Sequence, residues 1–194
     1  MVSKPSLVQL AEEMLKSYSF DEQAGLSIFT IPAGVTDVEA LKALNAFFRE
    51  NLPGFNRDVV EAGEGDWMLS LSYEQTPKEF PDYFRERDYA KPREVAIIVL
   101  VPGTEGKNRD SQAELLAQRG LVFADPRDIA IAVALHACAH EGADLCKGLA
   151  VRGSWRDMVQ VTQRDGFTPD TVYDADEDDN LCVAASGSPV SEEA

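Results

Sequence analysis

The order of elements along this chain predicts an α+β fold, with a buried central helix over about residues 126–146 packed on a largely antiparallel mixed sheet and other helices outside it. Three observations carry that reading. The most apolar stretch, residues 129–139, is built from Ala, Val, Ile and Leu apart from His136 and Cys138, and follows Asp125, Pro126 and Asp128, a helix start of N-cap, N1 proline and first-turn acid. Two short β-branched runs, residues 26–31 and 95–101, are each closed by Pro and Gly, as strands are. From Leu149 onward, short of the tail, the pattern turns to β, so helices and strands are mixed in order and partly segregated.

The elements follow in order. After Pro5, Leu7, Leu10, Met14 and Leu15 recur close to helical spacing with Glu12 and Glu13 on the other side, which predicts an amphipathic outer helix over 6–16. Residues 26–31 then form a strand. Thr36 and Glu39 have the form of a capping box, and Val38, Leu41, Leu44, Phe47 and Phe48 supply one apolar stripe before Pro53 and Gly54. Trp67, Leu69, Leu71 and Tyr73 alternate with Met68, Ser70 and Ser72, the period of a half-buried strand. Residues 77–89 suit a short helix with Phe80, Tyr83 and Phe84 inward. Residues 95–101, VAIIVLV, are apolar at every position, the pattern of a central strand covered on both faces.

Residues 110–119 are helix-compatible up to Gly120, and the central helix follows. The strings LAVRGS and MVQVTQ, then two apolar runs flanking the acidic string DADEDDN, read as hairpin strands. The expected organisation is one globular unit over 1–186, with weak sub-lobe boundaries near 91–93 or 148 and a disordered acidic tail at 187–194.

Charge narrows the function classes. There are 34 acidic residues against 18 basic ones, a formal net charge of −16, which opposes any sequence-independent grip on phosphate backbones and any attraction to anionic membranes. From Arg164 to the end there are nine acids and one base, a net of −8. The apolar stretch is too short to span a bilayer. The opening MVSKPSLVQL has no secretory pattern, so the chain is expected to start near Met1. Three cysteines, Cys138, Cys146 and Cys182, make an odd number that suits a reducing, cytoplasmic compartment.

Few residues carry chemistry. The only histidines, His136 and His140, lie four apart in LHACAHEGADLC and share a helix face, so both can reach one divalent ion, with Asp144 on the same ridge if the helix passes Gly142. Glu141 is the nearest acid for proton transfer. Zincin signatures are absent, since Ala137 and Ala139 stand where Glu is required. Cys138 is turned away from both imidazoles by helix geometry. The loop PGTEGKN lacks the spacing of a phosphate cradle and reads as a flexible connection.

Asp174, Asp176 and Asp178 alternate as in a calcium loop, but Asp179 stands at the required Gly and Ala185 at the closing Glu. A solvated acidic surface is what remains. Tyr83 and Arg87, in an aromatic and arginine-rich segment, are candidates for a recognition patch. The reading is therefore a non-enzymatic binding protein acting through self-association or a basic protein partner, with Asp174, Asp176 and Asp178 in contact. The alternative is a metal-dependent hydrolase with His136, His140 and Glu141 catalytic and His136, His140 and Asp144 as ligands. No cofactor is expected except, in that case, a divalent metal; neither nucleic acid nor membrane is an expected partner.

Overall fold

A computed structural model describes residues 5–51, 87–154, 160–162, 166–168 and 181–187. The expected strand at 67–73, Tyr83 with most of its helix, the loop of Asp174, Asp176 and Asp178, and residues 188–194 lie outside them. Among the described residues, four helices and an antiparallel five-stranded sheet give the mixed α+β architecture.

Helix α1 (Leu7–Ser17) starts at Ser6, whose hydroxyl accepts from the Gln9 amide while the Gln9 side chain accepts from the Ser6 amide, a reciprocal cap. Strands β1 (Ser19–Asp21) and β2 (Leu26–Ile31) make an antiparallel hairpin. Helix α2 (Asp37–Asn51) starts with the predicted box: the Thr36 amide donates to Glu39 at 3.0 Å and the Glu39 amide to Thr36 Oγ1 at 3.2 Å. Strand β3 (Arg93–Ile98) pairs antiparallel with β2, and helix α3 (Arg109–Gln118) leads to β4 (Leu121–Phe123). Helix α4 (Pro126–Ala139) is the central one. Five strands follow: β5 (Ala150–Arg152), β6 (Gln160–Thr162), β7 (Gly166–Thr168), β8 (Leu181–Val183) and β9 (Ala185–Gly187).

The first sheet has the order β1-β2-β3-β9-β4 and is antiparallel throughout; the second has the order β7-β6-β5-β8, with β5 and β8 parallel. Only Ala184 separates β8 from β9. The chain crosses between sheets there, and the Ala184 amide donates to Arg152 O while the Ala184 carbonyl accepts from Ala124.

Alternation on β2 sets the layers. Ser27, Phe29 and Ile31 are buried, together with Val95 and Ile97 of β3, whereas Ile28 is 44% exposed. Against that face lie Leu41, Leu44 and Phe48 of α2 and Leu10, Met14 of α1 in one core. Helix α4 is buried from Pro126 to Ala137 except at Asp128, touching α1, α2 and β3 as well as β6 and β7. A helix apolar on all sides must be covered on all sides.

Three expectations are corrected. The cover over β3 is uneven: Ala96 is exposed, and the outer face closes only where Ile98 and Val101 meet Leu116, Val183 and Ala185. The loop at 102–108 is anchored, because buried Thr104 donates to Val101 O at 2.7 Å and accepts from the Val183 amide, and its carbonyl accepts from Gln112. The central helix ends at Ala139, seven residues early, with His140 as its C-cap and Gly142 at φ +88° donating to Ala137 O. Glycine adopts that left-handed turn without strain, so it stops the helix.

The opposite end of α4 is fixed by charge. Asp125 caps the helix through the Arg127 amide. Around it Asp37, Asp125 and Asp128 meet Arg87, Arg93 and Arg127, joining the starts of α2, α4 and β3. The Tyr89 hydroxyl donates to Asp37 at 2.8 Å. Burial alone would lower Arg87, but Asp128 and Asp125 outweigh it and raise its pKa above the ordinary value. Asp125 is lowered, its arginine partners overcoming burial, whereas burial dominates at Asp128 and raises it.

Candidate functional site

His136 and His140 come together as the i, i+4 spacing requires. Their ring centroids are 4.5 Å apart, on the last turn and C-cap of α4. His136 is 7% exposed; His140 is open to solvent. The inner imidazole is held on two sides. Its Nδ1 lies 2.8 Å from the Tyr18 hydroxyl, and the Phe20 ring meets it edge-on at 4.8 Å.

Tyr18 caps the end of α1 and Phe20 follows in β1, so the path from helix to hairpin sets both aromatics against α4. Phe20 pairs with Ser27, the buried hydroxyl residue of β2 beside Tyr18. Burial raises the Tyr18 pKa, with Ser27 partly offsetting it, so the phenol stays neutral. Burial, and next the proximity of His140, push the His136 pKa down to about 4, against the opposing charge of Asp144. At neutral pH the inner imidazole carries no charge, and one ring nitrogen, Nε2, remains beyond the Tyr18 contact.

Both imidazoles line a cavity of about 520 Å³. Its other walls are the β1–β2 turn from Glu22 to Gly25, Leu100 and Pro102 after β3, and the loop after α4 with Asp144, Leu145 and Lys147. Asp144 faces this cavity, but its two oxygens accept from the amides of Cys146 at 2.8 Å and Gly148 at 2.7 Å. It therefore shapes the loop. Among the described residues no group of three His, Cys, Asp or Glu side chains is placed to hold a metal ion. Two imidazoles are what the protein offers there.

The remaining candidates fall elsewhere. Glu141 is exposed at φ +51° and is not part of the cavity wall. Arg87 is inside the ion-pair network at the other end of α4, with its side chain 14% exposed. Cys138 directs its thiol toward Leu44 O, and burial pushes its pKa up to about 12, so it is no nucleophile. Cys146 and Cys182 are buried free thiols.

Sequence reasoning missed Tyr18, Phe20 and the turn at 22–25. The signal available was weak: the string SYSFDEQAG places Tyr18 and Phe20 two apart before a turn, the spacing of two side chains on one strand face. No helix among the described residues is long and apolar enough to cross a membrane. Comparison of the chain with protein-family models, with curated proteins and with solved structures finds no significant match.

Proposed function

We propose that this chain is a binding protein whose ligand is a small, uncharged amphipathic organic molecule held at the C-terminal end of α4. One observation carries the reading: both of the chain's histidines stand in the wall of a single cavity of about 520 Å³. Small-molecule sites typically occupy roughly 300–1,000 Å³ and combine apolar walls with a few convergent polar groups. Here Phe20, Leu100, Pro102 and Leu145 supply apolar surface, and the imidazoles supply hydrogen bonds. Glu22 and Asp144 stand on the wall against Lys147, an excess of acid that disfavours an anionic ligand.

A hydrolase centred on His136 and His140 needs a further base or ligand. Glu141 is off the wall and Asp144 is bound to loop amides, so that reading ranks second. Recognition of a basic protein through Asp174, Asp176 and Asp178 rests on charge pattern alone.

The test is ligand-observed NMR with a panel of small aromatic alcohols, amides and phenols. The expected result is a subset that binds with Kd below about 1 mM and loses at least tenfold on Phe20→Ala. A panel without binders, or binders indifferent to Phe20→Ala and His140→Ala, would overturn the reading.

A further inference from the structure

We infer that the His136–His140 pair binds one first-row divalent transition-metal ion, with the cavity providing the open coordination positions. The inference rests on reading this cavity as a binding site, and it names a second ligand class for it. The two imidazoles are one helical turn apart with ring centroids 4.5 Å from each other, and both face the same space. A metal held by two nitrogens at about 2.0–2.1 Å each requires ring centres on the order of 5 Å apart, which a small rotation of exposed His140 supplies.

The inner ring already has an oxygen partner on one of its two nitrogens. Metal-binding imidazoles usually donate their second N–H to an oxygen acceptor, which fixes tautomer and direction. Tyr18 is placed to be that acceptor. With Nδ1–H donated to its hydroxyl oxygen at 2.8 Å, the lone pair is on Nε2. The donor set excludes a thiolate site, since Cys138 turns to Leu44 O on another side of the helix. The two imidazoles are the nitrogen donors, and such a site suits Zn²⁺, Ni²⁺ and, most tightly, Cu²⁺. The net charge of −16 raises the local concentration of any cation.

The experiment is a Zn²⁺ titration of the full chain by calorimetry and by NMR of the imidazole nitrogens, in excess Mg²⁺ to occupy carboxylates. One equivalent is expected to bind, moving both Nε2 resonances. His140→Ala, at an exposed position, is expected to weaken binding at least tenfold. His136→Gln does the same, and Tyr18→Phe weakens it about tenfold while leaving the stoichiometry at one. Because His136 is buried, urea unfolding of each variant separates loss of the site from loss of the fold, and His140→Ala alone suffices if His136→Gln does not fold. Absence of binding, movement of one imidazole only, or an equivalent site that survives His140→Ala would overturn the inference. Aromatic probes that bind a chain indifferent to Zn²⁺ would remove this inference and leave the proposed function; Zn²⁺ binding without any organic probe would do the reverse.

Discussion

The two ends of α4 are built from different physics. At the N-terminal end three carboxylates and three guanidiniums close on one another around Asp37, which is 3% exposed, and Tyr89 adds a fourth contact to the same acid. At the C-terminal end two imidazoles meet a cavity, with only Tyr18 bonding the inner one and His140 exposed. Such an ionic network resists rearrangement even though the buried Arg93 Nε has no hydrogen-bond partner among the described residues, because removing one member leaves buried charge uncompensated. An end with spare hydrogen-bonding capacity facing open space can accept a ligand. One helix thus carries an end closed by charge and an end that faces a cavity.

Breaking the charged end has the largest expected effect. Asp37→Ala leaves Arg87 and Arg93 short of a buried partner and is expected to cost about 3–5 kcal/mol in urea unfolding. A cost below about 1 kcal/mol would mean that water already satisfies those guanidiniums. Gly153→Ala comes next. A Cβ there would stand 2.7 Å from Pro126 Cγ and 2.8 Å from Ala124 O, at the same end of the helix, so about 1–3 kcal/mol of stability is expected to be lost.

The same scale of change at the other end is expected to be small. Tyr18→Phe removes one hydrogen bond to His136 Nδ1 and is expected to cost about 1 kcal/mol. His140→Ala is expected to stay within about 0.5 kcal/mol of the parent chain while altering the cavity wall. Thermal or urea midpoints for the four variants, measured together, sharpen the contrast between the ends. Equal costs at both would erase it.

Much of the charged end and little of the site were legible in the sequence. Asp125, Pro126 and Asp128 announced the start of α4 because capping is local, and the Thr36–Glu39 box announced α2 for the same reason. The pairing of Asp37 with Arg87 and Arg93 was not legible, since partners 50 and 56 residues apart leave no periodic trace. His136 and His140 stood out by spacing. Their surroundings did not, because Tyr18 is 118 residues from His136 and reaches it only through the α1-to-hairpin path. The helix end is not legible from the apolar pattern, because the stop lies in the backbone: Glu141 and Gly142 both turn left-handed, at φ +51° and +88°.

The most direct test is a pH titration of the two imidazoles by NMR, with urea stability followed over the same range. A histidine held neutral in the fold takes up its proton more readily when unfolded. Its contribution to stability is therefore complete above about pH 6.5, declines as pH falls, and is gone near the folded pKa of about 4. Predicted is a His136 that stays neutral to below pH 5, with stability falling between pH 6.5 and 4 by an amount that His136→Gln reduces. An inner imidazole that titrates near 6.5, unchanged by Tyr18→Phe, would contradict the account of a buried ligand-ready ring at the cavity wall.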